Sequence, residues 1–279
     1  MLVNFSGINN GYIYNNQPRF INFCGTREPV SDRFEKSGEP IELGIFNPFS
    51  DKFMHKKERI DLEQPCRFEI KDTKDKYHPL VVDYDPSRTG IIRNRRNGLP
   101  VVVNILKLEC PYYDNQTAYA FMSKDLKQQY GYVSLCIPMI DDKNSGGLLK
   151  DYPEYGITGK RAIVSYLRNF DEDNVCGVGK LADRLGVQYC LENGFEPNIM
   201  SYADEYSHVA HFKRGKRFIP PEEGSEDYKF LKDQYGITDP NEILQYLIQD
   251  AEWNGTDVDL TGWGYLMMYL PKDMIDKYR

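Results

Sequence analysis

The stretch Arg161-Ala-Ile-Val-Ser-Tyr-Leu-Arg-Asn-Phe170, then Asp171-Glu-Asp-Asn174, then Val175-Cys-Gly177-Val-Gly179-Lys180, decides how this chain is read. An apolar-rich segment runs into a glycine-rich turn, and a helix follows at once. Leu181, Ala182, Leu185 and Tyr189 recur at helical spacing, and Asn193-Gly194 supplies a stop. Glycines let the backbone pass close to a ligand. The first amides of the helix point outward at the positive end of its dipole, which suits a phosphate or pyrophosphate. The turn is not a P-loop, because Asn174 and Leu181 stand where that motif needs Gly and Ser or Thr. It is not the dinucleotide fingerprint either, because the third glycine is missing.

Outward from this stretch the texture changes along the chain. Residues 1–100 are turn-rich, interrupted at Gly11, Pro18, Gly25, Pro29, Pro40, Pro48 and Pro86. Short strands are expected between the breaks at 19–24, 41–46, 67–70 and 80–82. Arg88, Arg93, Arg95 and Arg96 form a basic cluster that could bind phosphate, although a solvated hairpin tip is the commoner meaning of such a run. Residues 101–108 are rich in β-branched side chains and predict a strand, and 119–122 with 130–137 predict an antiparallel pair. Residues 157–167 form another apolar-rich segment. A strand at 198–202, a helix at 204–214 and a strand at 217–219 follow. After Pro220-Pro221 an acidic stretch leads to two expected helices. One is opened by Asp239 and runs to about Trp253; the other covers 272–278, with 265–270 a strand or buried segment between them. A meander of strands that gives way to strands alternating with helices predicts a mixed α/β sheet. Three regions follow: 1–117, 118–221 and a helical extension at 222–279, expected as an added cap.

Composition narrows the function classes. A hydrophobic fraction of 41% across 279 residues is enough for a real core. A net charge of -7 disfavours a polyanion as partner, so nucleic acid is not expected; amines, polyamines or basic protein segments suit the charge better. No apolar run approaches the roughly 18 residues of a spanning helix. Residues Met1 to Ser6 do not have the pattern of a secretory leader. The expected location is the cytoplasm, away from membranes. Cys24, Cys66, Cys110, Cys136, Cys176 and Cys190 are scattered singly, so reduced thiols are expected and a structural metal site is not.

Two blocks carry a resemblance. Asn174-Val-Cys-Gly177-Val-Gly179 fits the spacing of a pyrophosphate loop written as Arg or Gln, two residues, Gly, any residue, Gly or Ala. Downstream, Asp204, Ser207, His211 and Gly215 stand where the same family has Asn, Ala, Tyr and Gly on the helix after the next strand. Over residues 119–220, about a third of the chain, the sequence resembles the GNAT superfamily of acyl-CoA-dependent N-acetyltransferases.

The resemblance implies an α/β (α+β) fold: a mixed, mostly antiparallel sheet of the acyl-CoA N-acyltransferase type, with N- and C-terminal elaborations. It implies acetyl-CoA or another acyl-CoA as co-substrate, no metal, and an amine-bearing small molecule or protein as acceptor. Backbone at Leu167 and Asn169 would pair with the pantetheine arm. Asn174, Val175, Cys176, Gly177, Val178, Gly179 and Lys180 would form the pyrophosphate cradle, and Asp204 and Ser207 would complete the cofactor site. His211 replaces the tyrosine that protonates the departing thiolate; an imidazole with an unperturbed pKa near 6.5 is suited to that task as a histidinium. Tyr202 and Tyr206 are neighbouring alternatives. Residues 157–170 contain no carboxylate, so the general base is a water or comes from the N-terminal region. Two other readings remain: a non-catalytic module that keeps the fold, and a nucleic-acid partner that uses the cluster at 88–96.

Overall fold

The computed structural model describes residues 40–72, 75, 77–137, 151–203, 207–264 and 266–278. The strand expected at 19–24, Cys24, Asp204 and Tyr206 lie outside them, as does the side chain of Tyr202.

A hairpin comes first. Strands β1 (Pro40–Asn47) and β2 (Lys52–Arg59) pair antiparallel in full register. Their turn begins with the Asn47 side chain accepting from the Phe49 amide and ends at Asp51 in the left-handed region, a conformation that Asp tolerates. The strand at 52–59 is not among the sequence expectations, because four of its eight residues are Lys or Arg. The aliphatic stem of Lys56 solves this, carrying the ammonium to Glu58 and to the Glu69 carbonyl.

Next come β3 (Cys66–Ile70), β4 (Leu80–Tyr84), β5 (Thr89–Asn94), β6 (Pro100–Glu109), β7 (Gln116–Met122) and β8 (Gln129–Cys136). Every pair among them is antiparallel, and β6 shares one edge between β5 and β4. The remaining elements are β9 (Ile163–Asn169), β10 (Val175–Cys176), α1 (Val178–Glu192), β11 (Met200–Ala203), α2 (His208–Lys213), β12 (Arg217–Phe218), α3 (Glu226–Tyr235), α4 (Pro240–Asn254), β13 (Leu266–Tyr269) and α5 (Lys272–Ile275). The main sheet has 11 strands, with the path β10-β5-β6-β7-β8-β9-β11-β13-β12. Among the described residues β9 and β11 are the one parallel pair. The architecture is therefore a mixed α+β fold on a mostly antiparallel sheet.

One face of the sheet buries Ile105, Phe121, Val133 and Val164 against Leu181, Ala182 and Leu185 of α1. The other face is covered by the β1–β2 hairpin, where Leu43, Ile45 and Met54 meet Leu106, Ala120 and Met122. Helices α3 and α4 enclose a third cluster around Trp263, Phe218 and Met268.

The boundary expected between 117 and 118 falls inside β7, and the strands before and after it share one sheet. The C-terminal segment is more than an added cap, because β13 inserts between β11 and β12. It also holds a helix beyond the two expected. Helix α3 is capped by Ser225, whose hydroxyl accepts from the Tyr228 amide, and carries Glu226 and Asp227 in its first turn.

Candidate functional site

Among the described residues, β9 is paired along the whole of one edge and open along most of the other. β8 accompanies it from Cys136 opposite Ile163 to Gly131 opposite Asn169. β11 pairs with it only at Met200–Ile163 and Ser201–Val164, with the Met200 amide donating to the Ala162 carbonyl at 3.2 Å. The two strands then part. Directly beyond the last shared pair, Ser165 is an extra residue opposite the Ser134–Leu135 step, a β-bulge that re-aims the strand. At the far end the Phe170 amide donates to the Tyr130 carbonyl at 2.7 Å. Alternation from that bond turns the backbone groups of Leu167 and Asn169 away from β8, onto the edge that β11 has left.

The glycine turn follows this edge. The Asn169 side chain stitches the turn, accepting from the Asp171 amide at 3.1 Å and donating to the Val175 carbonyl at 3.2 Å. Asn174 is occupied locally: its Nδ2 donates to Asp171 Oδ1 at 2.6 Å. Gly177 then sits at φ 92, a region that disfavours a Cβ, and starts α1 with no side chain to cap the first amides. Val175 and Val178 bury their side chains beneath the turn, whereas Lys180 stands exposed. Cys176 is half-buried, its backbone paired with β5.

The basic cluster is not an isolated tip. It spans β5 and the following turn, and it is fastened to the glycine turn. The Arg95 amide donates to the Asn174 carbonyl at 2.7 Å, Arg95 Nε donates to the Val175 carbonyl at 3.3 Å, and Val175 and Cys176 pair with Asn94 and Arg93. Arg93, Arg95 and Arg96 are exposed around the cradle. In sequence they are about 80 residues from the turn; only the curl of the sheet from β5 round to β9 unites them.

Behind the parting strands lies a buried ionic network. Asp183 of α1 is 1% exposed and Lys216 is 0% exposed. Asp183 Oδ2 accepts from Arg214 Nε at 2.8 Å. Lys216 Nζ lies 3.0 Å from Asp183 Oδ1, an ion pair rather than a well-aligned hydrogen bond, and donates to Ser201 Oγ at 3.2 Å. Arg214 Nη2 donates to His211 Nδ1 at 2.7 Å. Ser201 is the last β11 residue paired with β9, so the network is anchored where the strands separate. Burial alone would raise the Asp183 pKa, but Lys216 and Arg214 outweigh it and hold the carboxyl below its ordinary range. Burial pushes Lys216 down, opposed by Asp183.

His211, 2% exposed, is driven well below the ordinary imidazole range, by burial first and then by Lys216, Arg214 and His208. The expectation of a histidinium at neutral pH does not hold here: the ring is neutral, and with Nδ1 accepting from Arg214 its proton is on Nε2. Ser207 is buried and begins α2, its carbonyl accepting from the His211 amide at 3.0 Å.

The structure thus places Leu167, Asn169 and the run from Asn174 to Lys180 along one continuous edge and turn, with Ser207 and His211 on α2. Sequence reasoning gave no role to Ser201, Arg214 or Lys216. The available signal was Asp183, a carboxylate within the apolar stripe of α1. A second polar cluster stands apart: His78 Nδ1 lies 2.8 Å from both Asp75 carboxylate oxygens, and His78 Nε2 lies 2.9 Å from the Tyr113 hydroxyl.

No group of three or more His, Cys, Asp or Glu able to hold a metal ion occurs among the described residues. None of their helices is long and apolar enough to cross a membrane. Compared with protein-family models and with curated proteins, the chain matches none.

Proposed function

We propose that this chain is an acyl-CoA-dependent N-acyltransferase of the GNAT type, transferring an acyl group, most simply acetyl, to an amine of a small molecule or protein. One observation carries the reading. Two parallel strands share two residue pairs and then separate, and the open edge of β9 leads straight into the glycine turn. An extended ligand with amides along its length is recognised by an open strand edge through main-chain hydrogen bonds. A pyrophosphate suits the uncapped first turn of a helix, and the arginines at the β5–β6 tip add positive charge beside it.

On this reading the amine nitrogen attacks the thioester carbonyl, the C–S bond breaks, and the thiolate gains the proton that the amine loses. The chain contributes mainly position: Leu167 and Asn169 through their backbone, and Val178, Gly179 and Lys180 through their amides. His211 keeps the place aligned with the proton-donating tyrosine, but as a neutral ring with Nε2–H as its donor.

A second reading, a non-catalytic acyl-CoA-binding module, is favoured by that neutral histidine and by the absence of a carboxylate on β9. Thermal melting with millimolar CoA tests both readings, because both require stabilisation by the ligand; an unchanged melting temperature removes both. Turnover of acetyl-CoA with a panel of amines then separates them.

A further inference from the structure

We infer that the outer face of α4 is a docking surface for a lysine- or arginine-rich polypeptide segment. The acidic charge of this chain is concentrated in one place. Residues 222–259 hold eleven carboxylates and two lysines, a net charge of -9, while the whole chain carries -7. The rest of the molecule is therefore slightly basic, and the acidity belongs to the α3–α4 lobe rather than to a uniformly solubilising surface.

The face itself has a specific composition. Helix α4 turns Ile243, Leu244, Ile248 and Ala251 into the core. Glu242, Tyr246, Gln249, Asp250 and Trp253 follow the opposite stripe at helical spacing, and all are exposed. Tyr246 is 66% and Trp253 90% exposed, a large apolar area for a helix to leave in water. Carboxylates and aromatic rings alternate along the stripe. A cationic side chain matches both, lying its alkyl stem on a ring, its charge over the ring face, and ion-pairing with the neighbouring carboxylate. The surface is separate from the glycine turn, and the inference does not depend on acyl-CoA binding.

The chain supplies its own reporter. Of its two tryptophans, Trp263 is buried, with its indole N–H donating to the Tyr235 hydroxyl at 3.0 Å, so solvent-sensitive emission comes from Trp253. Titration with an oligo-arginine peptide of about ten residues, without CoA, is expected to shift Trp emission saturably, with affinity falling as salt rises. Measured by anisotropy of a labelled peptide, Trp253→Ala should weaken binding about tenfold. Glu242→Gln with Asp250→Asn should flatten the salt dependence; oligo-glutamate should not bind. Peptide affinity unchanged in both variants overturns the inference. So does sedimentation showing that the protein alone self-associates and that Trp253→Ala abolishes it, which would make the occupant a second copy. Melting of Trp253→Ala checks that the fold is kept.

Discussion

The guanidinium of Arg214 lies on the backbone of Gly179: a Cβ at residue 179 would stand 2.8 Å from Nη1 and 2.9 Å from Cζ. The second glycine of the turn therefore has a packing role as well as the ligand role expected of it. It lets α1 approach the group that neutralises Asp183, while the Tyr278 hydroxyl holds the Arg214 carbonyl from behind.

This relationship predicts a change of sign. Gly179→Ala should destabilise the protein by about 1 kcal/mol, because overpacking outweighs the helix propensity gained. In an Arg214→Ala background the same substitution should stabilise by about 0.5 kcal/mol, since only the propensity remains. Urea unfolding of the four proteins measures this. Equal effects in both backgrounds would mean that Arg214 does not rest on Gly179.

The pH dependence follows from His211. Its folded pKa is depressed, so its contribution is fully present above the unfolded value of about 6.5 and is lost as pH falls from there towards the folded value. Stability should drop by up to about 1.4 kcal/mol per pH unit for this one proton. His211→Gln, which keeps an acceptor for Arg214, should remove that component between pH 6.5 and 5. A wild type and variant with parallel stability–pH curves would show a histidine that titrates normally.

Turnover separates two roles for the same residue. If the His211 Nε2–H hydrogen-bonds the departing thiolate, His211→Ala and His211→Gln both lose roughly 10²-fold in kcat at saturating acyl-CoA. If it only positions Arg214, His211→Gln retains most of the rate and His211→Ala does not.

Asn241 acts as a substitute strand residue. Its side chain accepts from the Phe218 amide at 2.8 Å and donates to the Phe218 carbonyl at 3.1 Å, while its own amide donates to the capping Asp239. Asn241→Ala leaves two backbone groups of β12 without partners and should cost about 1–3 kcal/mol. Asn241→Asp should also destabilise, since an oxygen then faces the carbonyl. Chemical denaturation checks both, and near-wild-type stability in either would mean that solvent already satisfies Phe218.

Cysteine reactivity should be graded. Among the described residues no two of Cys66, Cys110, Cys136, Cys176 and Cys190 are joined by a disulfide. Burial pushes the Cys190 thiol up to about 11 and raises Cys110 as well. In the native protein these two should react with a thiol reagent more slowly than half-buried Cys66, Cys136 and Cys176. Denaturation without reductant should expose all six thiols of the chain, counted by titration; two or fewer would indicate disulfides.

Read alone, the sequence determined the local elements whose signals are local. The β-branched run at 101–103 makes a strand, the Asp239 cap and Pro240 start α4, and Gly177-Val178-Gly179 ahead of an apolar stripe makes a turn and a helix. These depend on propensity and period within a few residues. The strand at 52–59 was hidden because its lysines find partners outside any local pattern: Lys56 reaches the Glu69 carbonyl on β3, and Lys52 pairs with Asp72 in the loop after β3. The folded chain alone reveals that β9 and β11 separate after two pairs, that the arginines of the β5–β6 tip meet the glycine turn, and that Asp183, Arg214 and Lys216 share one buried site. Each of these joins groups far apart along the chain, through strand order and register. The neutral state of His211 was likewise decided there, because a pKa is set by burial and neighbouring charge, which the fold alone supplies.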